Sequence, residues 1–393
     1  MARILFYLPT VTPWWFDNIV GHMIRACSAV GEVHVMVPPL WRNTGIGPEQ
    51  LLPFADCPSV NWHIVDGDDH PSMRTSPADP DALVELARSI DPSYVFCRSA
   101  DLATPARFPG KLRHLVEAGA PPLSTSSSWI ILQPDFWNHG AHCDLAEPDR
   151  AAIEKLFRAT WKQMRDQAEH GMSFRLPRSR ALDDMGLPGD RKIIALPLEY
   201  EHEEAFTAFH NRFERNVDLI HHLVERIDGE FLLALTDHPL NHKYVDNSRL
   251  HDSIAALGDR VRLVPNPDAV HEPTEHLIKH CDGLVVQNTK AIYSGAFFAK
   301  PTLRLSNRPS AEWLSVHDGL DAFLLAVRSG EAGVAEDRAR LWFGYHVLHE
   351  IVDPSTLTGD EILDRVDRPF SRDRLATGLE RIETYQRRID LAA

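Results

Sequence analysis

Three groups of side chains in this chain have the types and spacing for chemistry, and each directly follows a short apolar run. Ile193-Ile194-Ala195-Leu196-Pro197-Leu198 opens into Glu199-Tyr200-Glu201-His202-Glu203-Glu204. Phe231-Leu232-Leu233-Ala234-Leu235 runs into Thr236-Asp237-His238-Pro239, and Gly283-Leu284-Val285-Val286 into Gln287-Asn288-Thr289-Lys290. A histidine behind a buried strand can donate to a phosphate oxygen, and Pro239 fixes φ at the exit so that the ring is aimed. The competing reading is a loop-exit histidine with no ligand. Glu199 and Glu203 share a face if their segment turns helical. One of them could then deprotonate an acceptor hydroxyl, its pKa raised by burial and by its neighbour. Against this, Glu201 and Glu204 make the run look like a solvated helix start. Asn288 and Thr289 precede the helix-like segment 290–298, whose free N–H groups could meet a phosphate or a ribose. They could equally be a plain N-cap, and the two readings are compatible.

The elements that must position these groups follow from periodicity. Strands are expected at 193–198, 231–235, 261–264, 283–286 and 302–305, alternating with helices, which makes a parallel α/β unit. The ligand crevice of such a sheet lies beyond the carboxyl ends of its strands. An earlier unit is built the same way. Ile4–Leu8 is a continuous apolar strand, Ile19, Met23, Ile24 and Cys27 recur at helical spacing, Gly31 ends that helix, and 33–37 is the next strand. Strands at 62–65 and 94–97 and a helix at 81–90 extend this βαβ pattern. Lys111–Ala118 reads as helix and 129–132 as strand. Residues 148–169 form a long helix, with Ile153, Phe157, Trp161 and Met164 on one stripe. Two Pro-rich loops, 38–58 and 66–80, are long enough to be functional or mobile. Pro177, Pro188 and the Gly186-Leu187-Pro188-Gly189 turn place a boundary between 175 and 190. The expected organisation is a Rossmann-like domain over 1–175, a second over 176–340, and helices over 341–393 packing back on them.

Composition narrows the function classes. With 41 Lys plus Arg against 56 Asp plus Glu, the formal net charge is -15 over 393 residues. There is no basic run, which argues against a nucleic-acid surface. Five scattered cysteines without a CxxC pair indicate neither a zinc ribbon nor a disulfide framework, and a reducing cytoplasm fits. The N-terminus is too short for a signal peptide and reads as a buried strand, and no stretch approaches a membrane span. The protein is expected to be cytoplasmic, with peripheral association at the inner membrane face as an option. His139-Gly140-Ala141-His142-Cys143-Asp144 packs its ligands too tightly for a standard zinc spacing. Asp66-Gly67-Asp68-Asp69-His70 lacks the period of a calcium loop, and Gly45-Ile46-Gly47 lacks the rest of a dinucleotide or P-loop fingerprint. Trp14-Trp15-Phe16, after the first strand, reads as a sugar-stacking platform or as core.

Leu196-Pro197-Leu198-Glu199 with Glu203, then His238-Pro239, then Gln287-Asn288-Thr289 with Ala299-Lys300-Pro301, resembles the capsular polysaccharide biosynthesis glycosyltransferases, which include the bacterial β-Kdo transferases. The resemblance covers residues 190 to 310. Glu199 stands where that family has Gln, Glu203 where it has Asp, and Ser294 where it has Glu. It implies a GT-B architecture, two Rossmann-like doubly wound domains facing across a cleft, with acceptor bound on the N-terminal side and donor on the C-terminal side. It implies a glycosyltransferase that needs no metal or other cofactor and uses a nucleotide-sugar co-substrate, CMP- or UDP-linked. The acceptor would be a hydroxyl of a glycan or glycoconjugate in surface polysaccharide synthesis. Carried over, His238 contacts the donor phosphate, Asn288 and Thr289 lie beside the nucleotide, and Lys300-Pro301 sets the turn into the last strand; Pro239 and Lys290, which flank these residues, are counted with them as candidate nucleotide-binding residues. Glu203 is the candidate base, with Glu199 as its partner. A nucleotide-sugar epimerase of the same architecture and a non-catalytic binding protein are the alternatives.

Overall fold

The structure is a computed structural model, and it describes residues 2–41, 43–64, 76–135, 140–170, 175–202, 205, 208–265 and 273–392, with side chains as far as 388. The chain divides into two compact units. The first comprises Met1–Gly119, Thr125–Asn138 and Tyr345–Ala393, and the second Ala120–Ser124 and His139–Gly344. Each is a doubly wound α/β unit, the fold class expected from the sequence.

The first unit is built on six strands: β1 Ala2–Tyr7, β2 Gly31–Val37, β3 Val60–Ile64, β4 Tyr94–Cys97, β5 Lys111–Glu117 and β6 Ile130–Gln133. Their order is β3-β2-β1-β4-β5-β6, parallel except for the last pair. β1 is central and covered on both faces. Ile4 and Phe6 pack with Ile19, Met23 and Ile24, while Leu5 and Tyr7 pack with Leu83, Val84 and Ile90. That is why its apolar run is continuous rather than alternating. The helix expected at Lys111–Ala118 is instead β5. Leu112, Leu115 and Val116 have helical spacing, but Lys111–His114 pairs in parallel with β4 and His114–Glu117 antiparallel with β6. Sheet pairing overrides a short periodic signal. The expected 38–58 loop is partly ordered by a helical turn at Pro48–Leu51 and by Gly45, whose φ of 90° brings it so close to Pro39 that a Cβ would meet that carbonyl at 2.3 Å. Residues 65–75 of the second loop, with the Asp66–His70 turn, lie outside the described residues. In the aromatic cluster Trp15 and Phe16 are core, with the Arg98 guanidinium 3.3 Å from the Trp15 ring, and Trp14 is 45% exposed.

The second unit holds β7 Lys192–Pro197, β8 Phe231–Thr236, β9 Val261–Leu263, β10 Gly283–Val286 and β11 Thr302–Arg304, all parallel in the order β11-β10-β7-β8-β9. The long helix Glu147–His170 belongs to this unit, so the division falls after Asn138 and not in the 175–190 segment. The apolar stripe decides it: Trp161 packs on Phe297 at 5.1 Å and on Phe343 at 5.8 Å between ring centroids. The stretch where the boundary was expected carries a helix, Arg178–Asp184. Arg178 donates there to the His280 carbonyl and to Asp282.

From Tyr345 the chain returns to the first unit. A π-helical segment, His346–Glu350, lies against the terminal helix Asp373–Ala392. Their backbones touch at Gly378, where a Cβ would stand 2.0 Å from the Leu348 carbonyl oxygen. Gly378→Ala is therefore expected to lower stability by about 1–3 kcal/mol through overpacking, even though alanine is the better helix former. Urea denaturation measures it, and a variant as stable as the wild type would show that this contact is not tight.

Candidate functional site

The order of the second sheet reverses between β7 and β10, and this switch point is where ligands meet an open α/β sheet. The β7–β10 ladder ends at Ala195 opposite Leu284, while the β7–β8 ladder continues to Pro197. Glu199 spans the gap that results. Its Oε1 accepts the Asn288 backbone N–H at 2.7 Å, and the residue is only 7% exposed. Burial pushes its pKa up to about 7, opposed by the N–H groups around Asn288 and by the Arg304 charge. Two asparagines hold its backbone. Asn216 Oδ1 accepts the Glu199 N–H at 3.0 Å, and the Glu199 carbonyl accepts from Asn216 Nδ2 at 2.9 Å and Asn241 Nδ2 at 3.0 Å. Asn241 Oδ1 also accepts the Glu201 N–H, and the Glu201 carboxylate accepts the Asn216 N–H that opens the helix Asn216–Val224. The segment 198–202 is thus a clamped loop and not the start of a helix.

At the next exit Asp237 organises the turn. One carboxylate oxygen accepts from the His238 N–H at 2.8 Å and from Asn241 Nδ2 at 2.7 Å. The other accepts from Asn247 Nδ2 at 3.1 Å and faces His242 Nε2 at 3.4 Å. His238 Nδ1 accepts the Leu240 N–H at 3.2 Å, which leaves the proton of the neutral ring on Nε2. Burial lowers the His238 pKa, with Asp237 opposing, so the neutral donor is the favoured form near pH 7. Tyr200 stacks on the His238 ring at 5.3 Å and on His202 at 5.4 Å, fixing the plane of the imidazole.

A cleft of about 520 Å³ opens at these exits, within the second unit. Pro197 and Leu198 line it after β7, Asp237, His238, Pro239 and His242 after β8, Leu263–Pro265 after β9, and Thr289–Ala291 after β10. Its volume falls in the range of ligand pockets, roughly 300–1,000 Å³. The β11 side is closed. Asn288 Nδ2 donates to Asn211 at 2.7 Å, Ser306 and Arg304 donate to Asn288 Oδ1, and Gln287 pairs with both backbone groups of Phe213.

Of the residues singled out from the sequence, His238, Pro239, Thr289 and Lys290 come together on the cleft wall. Asn288 is buried in the seal beside it, and its N–H is occupied by Glu199. Ser294 is buried in the short helix Ala291–Phe297. Glu203 lies outside the described residues, as does His139, while His142 packs edge-on against Trp313. Sequence reasoning missed Asn216, Asn241, Asp237 and His242. Asn241 and His242 sit three and four residues beyond His238, but only the folded turn shows what they bond to.

No family model matches the chain, and no curated protein matches it in sequence. Among solved structures it is similar to the Thermosulfurimonas dismutans KpsC beta Kdo 2,7 transferase, with 11% identity over 84% of this chain and 98% of that one at a TM-score of 0.45. It is also similar to the UDP-GlcNAc 2-epimerase from Neisseria meningitidis bound to UDP-GlcNAc, with 11% identity over 94% and 100% at a TM-score of 0.33. A third is AviGT4, a glycosyltransferase involved in avilamycin A biosynthesis, with 12% identity over 94% and 98% at a TM-score of 0.27. The β-Kdo transferases that the strand-exit residues resemble are thus among these neighbours.

The buried Glu199 carboxyl makes a pH prediction. Its pKa is raised from 4.5 to about 7 on folding, so the folded state holds the proton more tightly than the unfolded one. The stabilisation is complete below about pH 4.5 and is lost as pH rises through about 7, a change of roughly 3 kcal/mol for a shift of this size. Glu199→Gln keeps the acceptor for the Asn288 N–H and removes the titration. Between about pH 5 and pH 8 the wild type should therefore lose roughly 2–3 kcal/mol more stability than the variant, because other titrating groups cancel in the difference. Denaturant unfolding at both pH values checks it, and parallel pH slopes would overturn it.

Proposed function

We propose that the cleft binds a nucleotide-sugar and that the chain is a glycosyltransferase, moving the sugar to a hydroxyl of a glycan or glycoconjugate. The supporting observation is His238, an imidazole held as an Nε2–H donor by the Leu240 amide and by Tyr200 on the wall of a switch-point cleft. A donor fixed before the reaction stabilises charge as it develops on the leaving phosphate without reorganising. In this reading Thr289 and Lys290 face the same phosphate from the β10 exit. The acceptor oxygen bonds to the anomeric carbon as that carbon's bond to the phosphate oxygen breaks. Glu203 takes the hydroxyl proton, and the nucleotide leaves with the bonding electron pair. Glu199 is a positioning residue, joining β7 to β10 and setting where the segment toward Glu203 begins. No metal or other cofactor enters this scheme. Surface polysaccharide as the product, and a cytoplasmic or inner-membrane-face location, belong to the same proposal.

The test is a thermal-shift screen of the full chain with CMP, UMP, UDP, GDP and dTDP, followed by turnover of the matching nucleotide-sugar with and without glycan acceptor. A ligand of the native state raises the melting temperature. His238→Ala is expected to lower turnover about 100- to 1,000-fold with the fold intact, the usual effect of removing one preorganised donor. Conversion of the donor without any acceptor would favour an epimerase. Binding of no nucleotide would favour a non-catalytic protein.

A further inference from the structure

We infer that the cleft takes up its phosphate-bearing ligand together with a proton, and that the Glu199 carboxylate is the group that receives it. This rests on the proposal that the cleft binds a nucleotide. Glu199 stands directly behind the cleft wall. Leu198, the residue before it, lines the cleft, and so does Thr289, the residue after its hydrogen-bond partner Asn288. An anion held at Thr289 therefore faces, across the Asn288–Thr289 peptide, a carboxylate that is almost wholly buried. Little solvent separates the two charges, so each disfavours the other. The hydrogen bonding resolves this without any movement. Oε1 accepts the Asn288 N–H whether the carboxyl is ionised or neutral, and a proton on Oε2 leaves that bond in place. Asn216 and Asn241 hold the Glu199 backbone in either state. Arg304 on β11 favours the ionised form, and Tyr293 faces that guanidinium from the helix after β10. Arg304 is bonded to Asn288 Oδ1 and the Gln287 carbonyl and is not part of the cleft wall. His210 and Arg308 pair beyond Asn211, the Glu201 carboxylate accepts the Asn216 N–H, and Asp237 accepts from the His238 amide and Asn241. Lys290 and His238 are on the cleft wall itself. Burial already brings the Glu199 carboxyl to its midpoint near neutral pH, with a pKa of about 7, so a neighbouring anion tips it to the neutral form. The coupling is reciprocal: binding is favoured at low pH and weakens as pH rises through 7.

The experiment is isothermal titration of the full chain, wild type and Glu199→Gln, with whichever of CMP, UMP, UDP, GDP and dTDP binds. Titrations at about pH 7.5 in buffers of low and high ionisation enthalpy give the protons taken up per ligand bound. With the carboxyl made about tenfold harder to ionise by the bound charge, the wild type should take up about half a proton more than the variant. Its affinity should fall about fivefold relative to the variant between roughly pH 6 and 8. Ionisation of the nucleotide and of His238 contributes to both proteins and cancels in the difference. Equal uptake and parallel affinity profiles overturn the inference and leave the nucleotide reading standing, with any proton taken up then assigned to His238 or to the ligand. The infrared difference spectrum of the wild type on binding reads the same event without a variant. A carboxylate band should be lost and a protonated-carboxyl band gained, and their absence overturns the inference as well. If none of the five nucleotides binds the wild type, the nucleotide reading itself falls, and this inference with it.

Discussion

The hydrogen bond from the Asn288 backbone to the Glu199 carboxylate is the interaction on which the second unit's ligand face depends. β7 and β10 are neighbours in the sheet, but their ladder stops before their exits. Something must then span the switch point, or the amides after β10 would be buried without a partner, at about 1–3 kcal/mol each. A carboxylate does so at the cost of its own desolvation, which is why its proton is held so tightly. That cost is tolerable because the backbone carrying it cannot move: Asn216 and Asn241 occupy both the N–H and the carbonyl of Glu199. One residue thus ties the three exits together, Glu199 reaching the β10 exit through its side chain and the β8 turn through its carbonyl and Asn241.

That arrangement also decides where a ligand can go. The junction after β10 would ordinarily offer unpaired amides to an anion, but here the protein's own carboxylate takes the Asn288 amide. Asn211, Gln287 and Ser306 then close the β11 side with side-chain to backbone and side-chain to side-chain bonds. The open space lies on the opposite side, over the ends of β8 and β9. In the proposed reading an anion there would be met by side chains, and among the described residues the imidazole of His238 is a preset donor on the cleft wall. A chain of strongly negative net charge can accept such a ligand because a neutral imidazole donates a hydrogen bond without a basic patch around it.

Much of this was legible in the sequence wherever the signal was local. The continuous apolar run of β1 was readable as a strand buried on both faces, and those of β7, β8 and β10 as short apolar strands whose following polar residues mark the exits. His238-Pro239 after β8 stood out because few residue types can act on a phosphate from that position. What was not legible depended on partners distant in sequence. β5 has helical spacing, and only its pairing with β4 and β6 makes it a strand. The long helix Glu147–His170 precedes the Pro-rich stretch, and only the packing of Trp161 on Phe297 and Phe343 assigns it to the second unit. Asn216 and Asn241 are unremarkable in sequence, because an asparagine that bridges two strand exits looks like one that starts a turn.

The same distinction explains how Glu199 can stand where the family it resembles has glutamine. The bond to Asn288 requires an acceptor oxygen at the end of a two-carbon side chain, and both residues supply it. The asparagines that hold the loop bond to its backbone and are indifferent to the side chain. Geometry is therefore conserved by the substitution while protonation is not. Glutamine would be neutral at every pH, whereas the carboxyl buried here titrates at about 7. Its charged form draws on Arg304, whose guanidinium also holds Asn288 and the Gln287 carbonyl. The residue that departs from the pattern is thus tied, through Asn288 and Arg304, to the exits of β10 and β11, and through its own backbone to the turn that carries His238.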